Sequence, residues 1–310
     1  MSEETSGQNS SNNQKIQDIM SRHYNRRRVL DKIVSVFAVA CVLAAIIPLG
    51  SILLEVIRNG ASAISIQLLT EPPGAIGATL ESSGGIAPAI QGTLIVVGLA
   101  SVIAVPIGIL AGIYLSEFAS GTKLFPSAVR LFNDVLTGLP SVVIGIVGYI
   151  TIVLAVGSFS VLAGAFSLSI IMIPIVVRIT EETLKVIPNS IREAGYSLGI
   201  PKWKITLFIV LKSAKSGVLT GIVLAISRIA GETAPLIMTI LGTSLFFSSF
   251  TKPIDALPLR IWRLASQPYD TAHSQGWGAA LLLIVIVLIS SVVLRLLVQR
   301  KGFMVKAVHV

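Results

Sequence analysis

Apolar residues in this chain neither alternate nor keep to one helical face; they come in long, almost unbroken runs. A helix needs about 20 mostly apolar residues to cross the hydrocarbon core of a bilayer. Six stretches are long enough: residues 33–54, 89–115, 137–156, 160–179, 217–241 and 279–298. The pattern predicts an all-α integral membrane protein with six transmembrane helices. Only Val156-Gly157-Ser158-Phe159 separates the third run from the fourth, which predicts a tight helical hairpin. The first run is too long for a signal-peptide core and lacks a small-residue cleavage site, so it reads as a retained span.

Between the runs the chain is polar. Residues 1–28, rich in Ser, Asn and Gln and ending in a basic cluster, lack the apolar mass to fold alone and are expected to be disordered. Residues 55–88 and 242–278 carry Gly, Pro and Ser, including Pro253, Pro258 and Pro268, and are expected to be irregular or partly helical outer loops. Within the second, LPLRIWRLA sets Leu257, Ile261 and Leu264 on one face, the pattern of an amphipathic helix lying on a membrane surface.

Composition agrees with a lipid environment. Of the 310 residues 53% are hydrophobic and 13% charged, against about a quarter charged in soluble domains. The net charge of +9 does not point to nucleic acid, because the basic residues are dealt out between the apolar runs. Lys15, Arg22, Arg26, Arg27, Arg28 and Lys32 precede the first run; Lys123 and Arg130 lie between the second and third. Lys185, Arg192, Lys202, Lys204, Lys212 and Lys215 lie between the fourth and fifth, and Arg295, Arg300, Lys301 and Lys306 close the chain. The alternate loops hold only Arg58, Lys252, Arg260 and Arg263. Cytoplasmic loops carry the excess of Lys and Arg, so both termini are expected in the cytoplasm. Cys41, alone in an apolar run, reads as a small hydrophobe. His23, His273 and His309 are scattered without metal-ligand spacing, and no metal site is expected.

The loop EETLKVIPNSIREAGYSLGIPKWKITLFIVLK is the most informative polar stretch. Ser190 and Glu193 have capping-box spacing, Gly199 suits a C′ position and Pro201 stops continuation, which predicts a helix of about two turns. Such a helix, flanked by basic residues, could simply lie on anionic headgroups. However, Glu193-Ala194-Gly195, then Gly199, then Ile209 and Leu211, resembles the EAA loop of ABC-importer permeases. That pattern is Glu-Ala-Ala, three residues, Gly, nine residues, Ile-x-Leu-Pro. The chain departs from it at Gly195, where Ala is usual, and at Lys212, where Pro is usual. Gly in a helix interior costs about 1 kcal/mol against Ala. The resemblance implies that residues 190–204 form a coupling helix docking on an ATPase, through Glu193, Ala194, Gly195, Tyr196, Gly199, Lys202 and Trp203. The chain lacks any Gly-Lys dipeptide and hence the phosphate-cradling G-x-x-x-x-G-K-[ST] loop, so ATP would have to be used by a partner.

The fifth run carries Arg228 and Glu232 near its middle. A charge at the bilayer centre costs about 2.5–3.5 kcal/mol on insertion scales, and such charges usually face a partner or a polar path. Arg228 lies eleven residues after Gly217, about 16 Å along a helix, and Glu232 one turn later can pair with it. Gly231 and Pro235 interrupt the helix there, as transporters do where they present backbone N–H groups to an anion. Arg-Ile-Ala-Gly-Glu-Thr-Ala-Pro (228–235) resembles the signature of phosphate ABC-importer permeases, the PstA type more than the PstC type. Val-Val-Arg-Ile-Thr-Glu (176–181) is a second match.

The resemblance covers roughly residues 30–300. It implies the type I (MetI-like) permease fold, with a permease domain over 89–300, a first helix and outer loop over 29–88, and a cytoplasmic tail over 301–310. It also implies an anion path lined by Arg228, Glu232, Thr233 and Arg178. Arg178 could equally be an anchor snorkelling to the cytoplasmic headgroups, and Glu232 could either orient Arg228 or weaken the site. The implied partners are a PstC-type second permease subunit, a PstB-type ATPase dimer that binds ATP and Mg, a PstS-type phosphate-binding protein and membrane lipid. The implied location is a bacterial or archaeal cytoplasmic (inner) membrane. A gradient-driven anion transporter would use Arg228 and Glu232 but leave the EAA-like loop without a purpose. An intramembrane hydrolase would need a nucleophile–base pair that the sequence does not contain. Gly108-x-x-x-Gly112 and the glycines 138, 145 and 148 let helix backbones approach closely, within this chain or across to another. Pro106 and Pro140 read as local kinks.

Overall fold

The computed structural model describes residues 3–74, 84–119 and 124–299. Among them the only β contacts are isolated bridges, Pro73 to Gly84 and Leu241 to Ile254. The helices are α1 (Glu3–Ala63), α2 (Ile66–Thr70), α3 (Ala87–Ile113), α4 (Leu124–Gly138), α5 (Ser141–Gly148), α6 (Leu154–Val156), α7 (Val161–Lys185), α8 (Asn189–Ser197), α9 (Lys202–Lys204), α10 (Leu211–Ala230), α11 (Ala234–Thr239), α12 (Leu257–Ala265) and α13 (Asp270–Gln299). Three π-helical turns extend or join them: Tyr114–Phe118 after α3, Tyr149–Val153 between α5 and α6, and Ile205–Val210 between α9 and α10.

Among the described residues, five helices are long and apolar enough to cross a membrane: Leu30–Ala63, Ala87–Phe118, Val161–Lys185, Lys202–Ala230 and Asp270–Leu296. The pair Leu124–Gly138 and Ser141–Val156, bent by 101°, makes a sixth when counted as one broken span. Hydrophobic pattern therefore located the five long spans while misplacing several ends, and its third run, 137–156, straddles the bend at Leu139–Pro140. Pro140 is more than a kink: it stands at the start of α5, where its missing N–H costs nothing, and the chain turns sharply there. The fifth run is not one helix but a long helix from Lys202 to Ala230, a break, and α11.

The chain divides into two compact units, Met1–Ile57 and Arg58–Val310. In the first, apolar side chains from Leu30 to Leu54 point outward on all sides of α1, as in a helix whose solvent is lipid. Residues 3–28, expected to be disordered, instead continue α1. No proline interrupts that stretch, and extending a formed helix needs no new nucleus.

In the second unit α7 is the central element, and small residues let its neighbours approach. A Cβ on Gly108 would stand 2.6 Å from the Val176 Cβ, and one on Gly112 2.6 Å from the Thr180 Cβ, so α3 runs parallel to α7. Gly217 meets Thr183 and Gly221 meets Ile179, so α10 runs antiparallel to it. Gly145 lies on Pro235 of α11, and Gly148 faces Ser167 and Thr239. These glycines serve packing within the chain; Gly138 faces open space. Around them Leu168, Met172, Val176, Ile229, Leu236 and Ile240 form the main core.

The segment 257–265 is helical as its pattern predicts, but it does not lie on a surface. Leu257, Leu259 and Leu264 are buried, and Leu257 joins a cluster with Leu68, Ile86, Ala89 and Ala279. The apolar face met protein because Thr93 of α3 accepts a 2.7 Å hydrogen bond from the Leu257 N–H and Gly92 admits the Asp255 backbone. Arg260, in the same turn, pairs with fully buried Asp255. Burial pushes the Asp255 carboxyl above its ordinary range, against the pull of Arg260.

Ser167 Oγ is buried without a hydrogen-bond partner, and it occupies the space that a Cβ on Gly148 would need. Gly148→Ala is expected to destabilise the protein by about 1–3 kcal/mol through overpacking. Ser167→Ala alone is expected to be near neutral, and the double variant to recover most of the loss, as read by thermal unfolding in detergent.

Candidate functional site

The break in the fifth span is built by three residues. α10 closes as the Gly231 N–H donates to the Arg228 carbonyl and the Glu232 N–H to that of Ile229, each at 3.2 Å. Pro235 then sits in the first turn of α11, where a helix can start but a preceding helix cannot continue. Arg228 Nη2 lies 3.2 Å from Glu232 Oε1, the pairing that their spacing predicts. The two partners are unequally covered: the Glu232 side chain is 14% exposed and that of Arg228 61%. Glu232 is thus rooted in the chain while the guanidinium looks out from it. Thr233, half-buried, precedes α11, and its carbonyl accepts from the N–H groups of Leu236 and Ile237.

The antiparallel register gives the depth of this pair. From the contacts of Gly217 with Thr183 and Gly221 with Ile179, seven further residues along α10 bring Arg228 level with Met172. That level is about 16 Å from the Val161 end of α7 and about 20 Å from its Lys185 end, at 1.5 Å per residue. The charged break therefore stands halfway along the central span. α11 continues from it to an abrupt end, where Leu241 and Gly242 take φ of 62° and 73° and the Arg263 guanidinium donates to the Leu241 carbonyl.

Arg178 is not brought to Arg228. It lies level with Ile222, about 9 Å further along, and makes a 3.0 Å ion pair with Glu182 in which both side chains are exposed. Beside it is a cavity of ≈ 220 Å³ lined by Arg130, Asn133, Asp134, Glu181 and Lys185 as well. Here Glu181 takes both Arg130, at 2.9 Å, and Lys185, at 2.7 Å. Arg130 also donates to the Leu115 carbonyl, fastening α4 to α3 and α7. In the sequence Arg130 is only a loop charge, although Glu181 closes the Val-Val-Arg-Ile-Thr-Glu stretch at 176–181.

The predicted short helix exists as α8, with a different start. Pro188 rather than Ser190 precedes it, Asn189 is its first residue, and no side chain caps it. Ser190 lies inside the first turn, so the capping box does not form. Its end is as predicted: Gly199 has φ 70°, the Ile200 N–H bonds the Gly195 carbonyl and the Gly199 N–H that of Tyr196. Those two bonds make a Schellman motif. Gly195 does not merely loosen the helix; its absent Cβ would stand 2.8 Å from Ile205, so glycine lets α8 settle onto the start of the fifth span.

On its other side α8 is free. Glu193, Ala194 and Lys202 are exposed, and so are Tyr196, Leu198 and Trp203, at 46%, 77% and 51%. Lys202 Nζ stands 5.0 Å from the Phe118 ring centroid and Lys204 Nζ 5.4 Å from that of Trp203, whose side chain is otherwise half exposed. Arg192 faces inward. Its Nη2 lies 2.6 Å from Glu117 Oε1, and the Glu117 carboxylate holds the guanidinium above its usual range, offset in part by burial. Glu117 was missed because it lies at the end of an apolar run, where a charge reads as a boundary.

Spans that close on one another within the chain, yet leave one charged and broken helix looking outward, suit a subunit of a membrane permease. The chain belongs to the binding-protein-dependent transport system inner membrane component family, whose model matches residues 104–302. It is 39% identical to the phosphate transport system permease protein PstA of Yersinia pestis over 278 residues, 89% of this chain and 92% of that protein. It is 35% identical to a probable PstA of Methanocaldococcus jannaschii, covering 86% and 93% respectively. A crystal structure of a bacterial alginate ABC transporter with its pentasaccharide-bound periplasmic protein superposes with a TM-score of 0.62 at 14% identity, covering 88% and 96%. The fold is accordingly the type I (MetI-like) ABC importer permease fold of a multi-pass membrane protein.

A side chain at Gly199 would have to adopt a left-handed conformation that costs L-residues about 1–2 kcal/mol. Gly199→Val is expected to unwind the end of α8, seen as faster proteolysis between residues 197 and 203 while the spans remain intact.

Proposed function

We propose that the chain is a permease subunit of an ATP-driven phosphate importer and forms part of its translocation path. The observation that carries this reading is the Arg228–Glu232 pair at a helix break halfway along the fold, with the guanidinium turned outward. A charge at that depth needs a polar path or a protein neighbour. A second permease subunit of the PstC type supplies the opposite wall, and the phosphate transport named for the PstA relatives fits the positive charge. Arg228 draws the anion in, Glu232 keeps its guanidinium oriented, and Thr233 stands at the start of α11 beside the passing oxyanion. Arg178 acts about 9 Å closer to the cytoplasm, as a station on the way out.

Energy reaches the path through α8. Exposed Tyr196 of α8, Leu198 just after it and Trp203 of α9, with Glu193 and Lys202 beside them in the chain, offer apolar anchors with a charged rim, the layout of a contact surface whose aromatic centre carries most of the binding. A PstB-type ATPase dimer binds ATP and Mg and grips this surface; a PstS-type binding protein delivers phosphate to the opposite side. The termini and α8 face the cytoplasm, in line with the basic residues of the loops around them. The phosphate is moved and not chemically changed. A gradient-driven carrier would have no use for an exposed, sharply ended α8.

In the assembled complex Arg228→Gln is expected to lower phosphate uptake by about 30-fold or more, the scale of losing a desolvated charge contact, with subunit assembly and ATP binding retained. Wild-type uptake by that variant would refute the path. Glu193→Lys and Trp203→Ala are expected to reduce the ATPase that copurifies with the chain; uptake that persists without any ATPase would refute the ATP-driven reading.

A further inference from the structure

The inward side of α8 is tied down at two points, and both lie in π-helical turns. The apolar point is Gly195 on Ile205, the first residue of the turn Ile205–Val210 that opens the fifth span. The polar point is Arg192 on Glu117, inside the turn Tyr114–Phe118 that closes the second span. Arg192 uses its whole guanidinium. Nη2 lies 2.6 Å from Glu117 Oε1, and Nε lies 3.2 Å from both carboxylate oxygens. Nη2 also donates to the Leu184 carbonyl at 2.9 Å, and Nη1 donates to the Ile187 carbonyl at 2.6 Å and to Asn189 Oδ1 at 3.3 Å. One side chain therefore joins α8 to the ends of the second and fourth spans.

We propose that Arg192 and Glu117 are positioning residues for energy coupling: a latch that makes α8, the end of α3 and the end of α7 move as one body. The inference rests on the reading that α8 is the ATPase-docking helix. Three observations carry it. Both side chains are covered, with 14% of Arg192 and 4% of Glu117 exposed. A buried ion pair seldom stabilises more than an apolar pair of the same volume would, so what it adds here is fixed geometry. A fork of parallel hydrogen bonds resists pulling as well as pushing, whereas the Gly195–Ile205 contact resists only compression. And the latch grips a π turn, a rare segment type that is frequent at functional sites. A pull on α8 is thereby delivered to α7, against which α10, the helix that carries Arg228, packs at Gly217 and Gly221, and not only to the adjoining loop.

The test uses the complete complex in liposomes, with the ATPase, the second permease subunit and the phosphate-loaded binding protein. Phosphate transported per ATP hydrolysed is compared for the wild type, Arg192→Lys and Glu117→Gln, which keep size and polarity but break the fork. Both variants are expected to retain the ATPase at wild-type stoichiometry and to hydrolyse ATP, while phosphate moved per ATP falls about tenfold, the scale of coupling between contacting residues. An unchanged ratio in both variants would overturn the proposal and leave the docking reading standing. Loss of assembly in both would assign the pair to folding and overturn it too. A wild-type complex that retains no ATPase would instead defeat the docking reading itself.

Discussion

The close approach of backbones along α7 is the contact on which the second unit depends. Lipid tails are as apolar as leucine, so helices in a bilayer gain little by hiding hydrophobic surface from one another; they gain by packing tightly. Gly108 and Gly112 on one side and Gly217 and Gly221 on the other bring α3 and α10 against α7. That closeness sets the register, and the register puts the break after Ala230 at mid-depth. A larger residue at any of these four positions would move the charged pair before it touched it.

Much of this was legible in the sequence, for identifiable reasons. Apolar runs reveal spans because the bilayer demands them, and Arg228 and Glu232 reveal themselves as charges where charges are costly. What stayed hidden was contact between distant segments. Glu117 and Arg192 are 75 residues apart, and neither breaks a local rule that would announce the other. The helix at 257–265 misled in the opposite way. Its Leu257, Ile261 and Leu264 stripe is the same whether lipid or protein covers it, and only Thr93 and Gly92 on α3 decide for protein. The capping box failed because Pro188 already fixes the backbone one position ahead of Asn189.

Gly195 illustrates how a departure from a family pattern acquires meaning. In sequence it is a weakened helix position; in the fold it is the place where Ile205 enters. The substitution and its partner form one feature spread over ten residues, and helix propensity alone does not register it.

The unequal cover of the mid-depth pair bears on the life of the subunit before it has company. Glu232 keeps most of its shelter within the chain, but the Arg228 guanidinium does not. A cation at mid-depth that met hydrocarbon would make the bilayer thin or admit water, at about 2.5–3.5 kcal/mol. The side chain that the proposed path would use thus needs a neighbour or water to cover it at that depth.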